Sequence, residues 1–211
     1  ALELVKGHWL RLLTESTTTT AVPFSLAPIY IVGLRSSIVP SQFQSQQTGQ
    51  IVRWDANWTR NFFTSAEVQR QRVDSLSYLT PDRDALVSIA QANIDRARIE
   101  ANYLPGGNFA LHASFNLART SGLVDLNVAR QTLPYLPQRV AELGINWSHG
   151  SRIAASLTGT YVGPQRDIVD RPIGGHRALD FLARWEPLDR QIEVNFGILN
   201  ILGEGFEIQP G

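Results

Sequence analysis

The amino-acid sequence predicts an all-β fold: an antiparallel transmembrane β-barrel, of which about 8–10 strands lie in this chain. Three observations predict it. Apolar and polar residues alternate with period two through most of the 211 residues. The connections between alternating segments are short at one end of the strands and long at the other. Aromatic residues stand beside the short connections.

The composition narrows the class of protein. Hydrophobic residues make up 43% of the chain and charged residues 18%, which is typical of an ordered protein. The formal charge is zero, so no nucleic-acid partner is expected. The chain has no cysteine, which excludes disulfides and thiolate metal sites. It also has no run of about 18 apolar residues that would form a membrane-spanning helix.

Residues 1–50 are predicted to hold one or two strands and a connector, ahead of the barrel hairpins of residues 51–211. The best strand candidate is residues 30–34. Residues 3–13 fit either a strand or a helix. Residues 16–30 read STTTTAVPFSLAPIY, which is typical of a low-complexity connector.

The first clear strand is residues 51–62, and a weaker one follows at residues 64–73. In the first, the apolar face is formed by Val52, Trp54, Ala56 and Trp58. The other face is formed by Arg53, Asp55, Asn57 and Thr59. One face is therefore suited to lipid and the other to water.

Three hairpins follow the same pattern. In the first, residues 96–103 and 109–117 flank a tight turn at residues 105–108. In the second, residues 141–147 and 153–161 flank residues 148–151. In the third, residues 179–185 and 192–198 flank residues 187–190. With the earlier pair, eight strands are predicted between Ile51 and Asn200.

The connections are sorted by length. Those near Asn61, Gly106, Gly150 and Leu188 are short, whereas residues 74–95, 119–138 and 162–177 are predicted to be long loops. Short turns at one end and long loops at the other are the layout of an outer-membrane barrel, whose strands cross the bilayer in about 9–11 residues. The predicted location is therefore the bacterial outer membrane, in contact with its lipid and lipopolysaccharide.

Aromatic residues support this orientation, because Trp and Tyr favour the membrane interface. The predicted girdle at the short turns consists of Trp58, Tyr103, Phe109, Trp147 and Trp185. Trp54 and Tyr161 are expected nearer the outer interface. The alternative is a soluble β-sandwich, in which the same rings form a core between two sheets.

The polar face carries many charges for a narrow barrel interior. They are Arg53, Asp55, Glu67, Arg96, Arg98, Glu100, Glu142, Arg184 and Glu193. A sheet in hydrocarbon has to close on itself, and a wide interior accommodates such a set better than a narrow one. The chain is therefore predicted to be an arc of a larger barrel, either a fragment or a split subunit that other chains complete.

From about Asn93 onward the chain resembles the carboxy-terminal part of a TonB-dependent receptor barrel. The resemblance rests on ordered segments: ANIDRARIEANY followed by FALHASFNLART, LPYLP before AELGINW, YVG with Asp167 and a Gly pair before LDFLARW, and NFGILNILG with EIQPG. It implies uptake of a scarce solute, such as a metal chelate, vitamin or glycan, with a TonB-type energising complex as partner. A structural barrel that anchors an envelope complex and a passive porin-like channel remain alternatives.

A ligand site is expected on the outer loops, which an incoming solute meets first. The richest loop is residues 163–177, and its candidate binding residues are Gln165, Arg166, Asp167, Asp170, Arg171 and His176. The alternative for each is a solvated loop residue with internal ion pairs.

No catalytic chemistry is predicted. Nucleophile elbows, phosphate loops and zinc-binding helix motifs are absent from the sequence. The four histidines, His8, His112, His149 and His176, have no metal-ligand spacing, so neither a metal nor a cofactor is expected. The prediction is a protein that is not an enzyme.

Overall fold

The computed structural model describes residues 1–19, 30–31, 34–35, 45–79, 86–123, 132–134, 136–150, 152–167, 169–187 and 192–203. Among these residues no helix has the length and apolarity needed to cross a membrane. The strands are β1 (Leu2–Val5), β2 (His8–Thr19), β3 (Tyr30–Ile31), β4 (Leu34–Arg35), β5 (Ser45–Asn57), β6 (Phe62–Leu79), β7 (Leu86–Gly106), β8 (Phe109–Leu123), β9 (Arg139–His149), β10 (Ile153–Val162), β11 (Gln165–Arg166), β12 (Pro172–Ile173), β13 (His176–Trp185) and β14 (Val194–Ile198).

Ten of these strands form one antiparallel sheet in the order β1-β2-β5-β6-β7-β8-β9-β10-β13-β14. The pairs β3–β4 and β11–β12 form separate two-stranded sheets within connections. All eight strands predicted between Ile51 and Asn200 belong to the large sheet, and β1 and β2 complete ten. The sheet is open, with β1 and β14 at its edges, so it is an arc of a larger barrel, as predicted.

One face of the sheet is apolar and exposed. The register aligns Val52, Val68, Ala97 and Leu117 across four neighbouring strands. No described segment covers this face, and Val68 and Leu143 keep 61% and 63% of their surface accessible. Leaving such a surface in water costs about 25 cal/mol per Å². The face is therefore suited to acyl chains, and the described residues contain no second sheet of the sandwich alternative. We call it the outward face.

Residues 3–13 contain no helix: residues 3–5 belong to β1 and residues 8–13 to β2, with a turn between them, which resolves the choice between strand and helix. Gly7 forms the turn between β1 and β2 with φ of 84°, a conformation that favours glycine. The Glu3 carboxylate accepts a hydrogen bond from Gly7 N at 3.1 Å, and Asn57 N donates to Gly7 O at 2.7 Å. Adjacent leucines at Leu12 and Leu13 lie on opposite faces, which hid the period-two pattern.

Residues 30–34 were predicted to be one strand, and the structure instead has two short strands there, β3 and β4. Tyr30 and Ile31 pair with Arg35 and Leu34 in a two-stranded sheet that is separate from the large one. The predicted connector at residues 16–30 is wrong in its first part, because β2 continues through Thr19. Residues 20–29 lie outside the described part of the chain.

Residues 74–95 were predicted to be a long loop, and most of them are strand. Pairing of β6 with β7 continues from Asp74 opposite Gln91 to Leu79 opposite Leu86. These strands have 18 and 21 residues, far more than the 9–11 or so that cross a bilayer. The hairpin is therefore longer than a bilayer crossing requires. In its outer part the apolar residues, such as Val73 and Ala92, lie buried on the inner face, so an apolar outward face no longer marks the strand.

The aromatic girdle lies at the short turns, as predicted. Trp58 packs edge-on against His8 and Trp54, with ring centroids 5.0 and 5.8 Å away, and its Nε1 donates to Thr64 Oγ1 at 2.8 Å. Trp54 therefore belongs to this girdle, and its expected place near the outer interface is wrong. Tyr161 lies at the other end of its strand, opposite Arg177.

Candidate functional site

Polar side chains line the face opposite the outward one, which we call the inner face. One row across β2, β5, β6 and β7 consists of Arg11, Arg53, Glu67 and Arg98. The next row toward the short turns contains Asp55, Ser65, Glu100, Ser114 and Glu142. The strand register therefore sets an arginine-rich row beside a carboxylate-rich row.

Asp55 joins two arginines on neighbouring strands. Its Oδ1 lies 2.8 Å from Arg53 Nε, in a hydrogen bond, and its Oδ2 lies 2.8 Å from Arg11 Nε, in an ion pair without hydrogen-bond alignment. Arg53 Nη1 also lies 3.7 Å from Glu67 Oε2 on the next strand. These contacts connect β2, β5 and β6, and they neutralise the charges locally.

The network continues on β7. Arg98 and Glu100, two residues apart on the same face of the strand, form an ion pair. Ser65 Oγ on β6 donates a hydrogen bond to Glu100 Oε2 at 3.2 Å. We call Arg11, Arg53, Asp55, Glu67, Arg98 and Glu100 the inner network. Three cations and three anions make it electrically neutral.

His112 extends the polar contacts to β8 and β9. Its Nε2 lies 3.4 Å from Glu142 Oε1, and its Nδ1 lies 3.0 Å from Asn102 Oδ1. His112 is half-buried on the inner face between these two polar partners. Among the described residues no three His, Cys, Asp or Glu side chains cluster closely enough to hold a metal ion.

Arg96 is the most enclosed cation of the inner face. It stands between Gln69 and Ala118 in the row above the inner network, and only 6% of its surface is exposed. Its Nε has no hydrogen-bond partner in the described structure, and Glu67 is its diagonal neighbour on β6. The wall of this half of the arc is thus densely charged.

Two predicted inner-face charges stand apart from the network. Arg184 Nε lies 3.4 Å from Glu186 Oε1, and Glu193 Oε1 accepts a hydrogen bond from Asn195 Nδ2 at 2.7 Å. Between them and the network the inner face of β9 and β10 carries mostly small neutral residues, including Gly144 and Ser156, with Glu142 beside the network. The inner-face charges are therefore densest on β2, β5, β6 and β7 and sparser on β9 and β10.

An apolar cluster closes the loop end of the inner face. It consists of Val73, Ile89, Ala92, Ile94 and Leu133, with Leu136 packed against it. Leu133 comes from the connection between β8 and β9, is fully buried, and donates its N–H to Thr120 Oγ1 at 3.0 Å. We call this group the outer cluster. It holds Leu133 and Leu136 against the inner side of β6, β7 and β8.

The predicted ligand loop is a small hairpin built around Asp167. Strands β11 and β12 pair across it, and Asp167 Oδ1 accepts hydrogen bonds from Val169 N at 2.9 Å and Arg171 N at 2.8 Å. Arg166 Nη1 lies 3.0 Å from Asp170 Oδ2, and Asp170 has φ of 66°. Both carboxylates therefore shape the turn.

The other candidates occupy different parts of the same connection. Gln165 pairs with Ile173 in the hairpin, Arg171 is exposed at its tip, and His176 begins β13 opposite Val162. The structure thus brings Arg166, Asp167, Asp170 and Arg171 together and leaves His176 at the base. Solute binding by these residues remains a prediction.

Sequence reasoning missed two parts of the site. Arg11 was missed because residues 3–13 were not assigned to a strand, although Trp9 and Arg11 alternate with Leu10 and Leu12. The outer cluster was missed because residues 74–95 were assigned to a loop. No local pattern marks Leu133 as a core residue, since its partners lie on other strands.

No family model and no curated protein matches this chain. Several solved structures match it. The ferric-catecholate import receptor Fiu of E. coli K12 has 12% identity and a TM-score of 0.62, over 98% of this chain and 30% of that one. The ferric yersiniabactin uptake receptor FyuA of Yersinia pestis has 14% identity and a TM-score of 0.66, over 97% of this chain and 31% of that one. The copper transporter OprC has 15% identity and a TM-score of 0.66, over 97% of this chain and 34% of that one.

This chain spans about a third of the length of the proteins it matches. At these identities the likeness concerns the fold. The chain has the fold of a barrel arc of the TonB-dependent receptors, which confirms the resemblance predicted from the sequence. It also confirms the prediction of an outer-membrane type of β-barrel.

Proposed function

We propose that this protein is an outer-membrane transport barrel that takes up a metal ion, either free or chelated. The observation that carries the proposal is the alignment of almost the whole sheet with barrels named for ferric-catecholate import, ferric yersiniabactin uptake and copper transport. Of the solutes expected from the sequence, a metal chelate fits these names best. The protein binds and passes its solute without chemical conversion.

The charge distribution supports passage of a solute along the inner face. The inner network pairs its arginines and carboxylates with each other, so the wall is hydrophilic without an excess of either sign. Such a wall does not trap a charged solute by long-range attraction. Selection of the solute then falls to the loops above it.

The proposed solute contacts are on the hairpin of residues 163–177. Asp167 and Asp170 hold the turn, and this positions Gln165, Arg166 and Arg171 at the entrance with His176 below them. In this arrangement Asp167 acts as a positioning residue. Deleting residues 165–174 from the full-length protein is expected to abolish uptake while the barrel still assembles. Unchanged uptake would remove the loop from the site.

Uptake by the full-length protein tests the function. Cells that lack the gene are compared with complemented cells for accumulation of radioactive iron chelates and copper, with and without a proton gradient. We propose a TonB-type complex as the energy source, so accumulation should require the gradient while surface binding should not. Accumulation without a gradient, together with conductance in planar bilayers, would indicate a passive channel. Normal accumulation in the deleted strain would indicate a structural barrel.

A further inference from the structure

Arginines follow the apolar residues of the outward face on the loop side. On four strands the first outward residue beyond the apolar segment is an arginine. These are Arg70 on β6, Arg119 on β8, Arg139 on β9 and Arg177 on β13. All four are exposed. We call them the outer arginines.

The register places the outer arginines along one border. Arg139 faces Leu117, so it lies one outward position closer to the short turns than Arg119 does. Arg177 faces Tyr161, and it lies one outward position closer to the short turns than Arg139 does. The aromatic border at the short turns descends in the same direction, from Tyr103 on β7 to Trp185 on β13. A common stagger of both borders is what strand tilt produces in a barrel. The outer arginines therefore lie at one level, where the hydrocarbon region ends.

The apolar segments between the two borders have the length of a bilayer core. On β8 the outward residues from Phe109 to Leu117 extend about 26 Å along the strand at roughly 3.3 Å per residue. An outer-membrane barrel has an apolar band about 25 Å tall, and tilt shortens the vertical projection of each strand. Arg119 is thus at the depth of lipid headgroups.

Two of the outer arginines form a pair of like charges. Arg119 and Arg139 are diagonal neighbours on β8 and β9, with a typical Cα separation of about 7–8 Å. Neither side chain has a hydrogen bond or ion pair with any residue that the structure describes. Adjacent like charges on a sheet are destabilising, and an anion between them would offset the repulsion.

The surrounding outward residues leave the patch positive. Asp95 faces both Arg70 and Arg119, and it contacts Arg70 at 3.6 Å with both side chains more than half exposed. Arg72, one outward position above Arg70, contacts Asp74 at 3.5 Å. Against these two aspartates stand five arginines, so the described residues at this level carry three excess positive charges. Loose, exposed pairs of this kind contribute little and exchange readily for another anion.

We propose that the outer arginines bind the phosphate groups of lipid A, the glycolipid of the outer leaflet, with Arg119 and Arg139 sharing one phosphate. A guanidinium matches phosphate oxygens with two parallel hydrogen bonds. Each basic residue beside an anionic membrane surface strengthens the attraction to that surface. The opposite border ends in aromatic rings at Trp58, Tyr103 and Trp185, so the two membrane faces are distinguished. The inference rests on the outer-membrane placement of the proposed function.

A charge-matched pair of variants of the full-length protein tests the proposal. The first is Arg119→Gln with Arg139→Gln. The control is Lys6→Gln with Arg60→Gln, which removes two positive charges from exposed short turns. Both are extracted from outer membranes in mild detergent, and bound lipid A is counted by native mass spectrometry. We expect the wild type and the control to retain lipid A and the first variant to retain at least five-fold less. Equal retention by all three would overturn the proposal.

Thermal unfolding in detergent separates a lipid site from a general anion site. Phosphorylated lipid A, dephosphorylated lipid A and inorganic phosphate are added in turn to each protein. Only phosphorylated lipid A should raise the unfolding temperature, and only where Arg119 and Arg139 are present. An equal rise with dephosphorylated lipid A, or with inorganic phosphate, would contradict the proposal. Replacing both arginines by lysine should give intermediate retention, because charge remains but paired hydrogen bonds are lost.

Neither measurement depends on transport. If lipid A binds as expected and metal uptake fails, the proposed function falls and this inference stands. If metal uptake is observed and lipid A does not bind, the proposed function stands and this inference falls.

Discussion

Asp55 is the residue on which the inner network depends most, because a single carboxylate contacts arginines from two strands at 2.8 Å. Its side chain is 17% exposed, and that of Arg53 is 19% exposed, so water replaces a lost partner only in part. Removing one member of a half-buried charged group leaves the others without compensation.

Asp55→Asn should therefore destabilise the full-length barrel by about 1–3 kcal/mol. Urea unfolding in detergent micelles measures the change. Glu15→Gln is the matched control, since Glu15 lies on the same face without an ion pair among the described residues, and it should shift the midpoint little. Equal effects of the two substitutions would show that the inner network does not stabilise the sheet.

Alternation along single strands predicted which residues face inward, and Arg53, Asp55, Glu67, Arg98 and Glu100 all do. It did not predict which of them touch. Contacts between strands depend on register, and register depends on turn lengths that one strand does not encode. In the candidate loop, likewise, the residue types predicted polar contacts but not that Asp167 is engaged by its own turn.

Among the elements, the hairpin of β6 and β7 differs most from the prediction made from its sequence, because its strands are much longer than predicted. Inside the membrane one face meets lipid, so alternation is strong and the strands are predicted correctly. Beyond it the outer cluster covers the inner face, and the continuing pairs, such as Leu76 with Ile89, reveal the strand. The end of the alternation therefore marks the membrane border, not the end of the strand.

The outer cluster supplies the second prediction. A Cβ added at Gly122 would lie 2.7 Å from Leu133 Cδ2 and 3.1 Å from Ile89 Cγ2. Gly122→Ala should therefore push Leu133 and the neighbouring Leu136 away from the inner face, at a cost of about 1–2 kcal/mol. At Gly144, on the same face, the nearest atom would be 3.7 Å away, so Gly144→Ala is the matched control.

The displacement can be measured with a single cysteine, because the chain contains none of its own. Leu136→Cys should react slowly with a water-soluble maleimide in the otherwise unchanged protein. Its labelling should become several-fold faster with Gly122→Ala and stay unchanged with Gly144→Ala. Unchanged labelling with Gly122→Ala would mean that the outer cluster does not hold this segment.

For the whole molecule, the exposed apolar face decides between a membrane barrel and a soluble protein. Leu143 points outward with 63% of its surface accessible, whereas Asn146 on the same strand points inward. An arginine in the lipid-facing band costs about 2–4 kcal/mol near the midplane, while an inner-face arginine meets water. Leu143→Arg should lower the amount of assembled barrel in the outer membrane, and Asn146→Arg should leave it near the wild-type level. Equal assembly would count against a lipid-facing role.

The most direct test measures which solvent each face contacts. Cysteines at positions 143 and 146 of the full-length protein carry the same environment-sensitive fluorophore in reconstituted bilayers. The structure predicts that a quencher attached to acyl chains dims the label at 143, and that aqueous iodide dims the label at 146. Iodide quenching at position 143 without lipid quenching would contradict the membrane assignment and the transport function that depends on it.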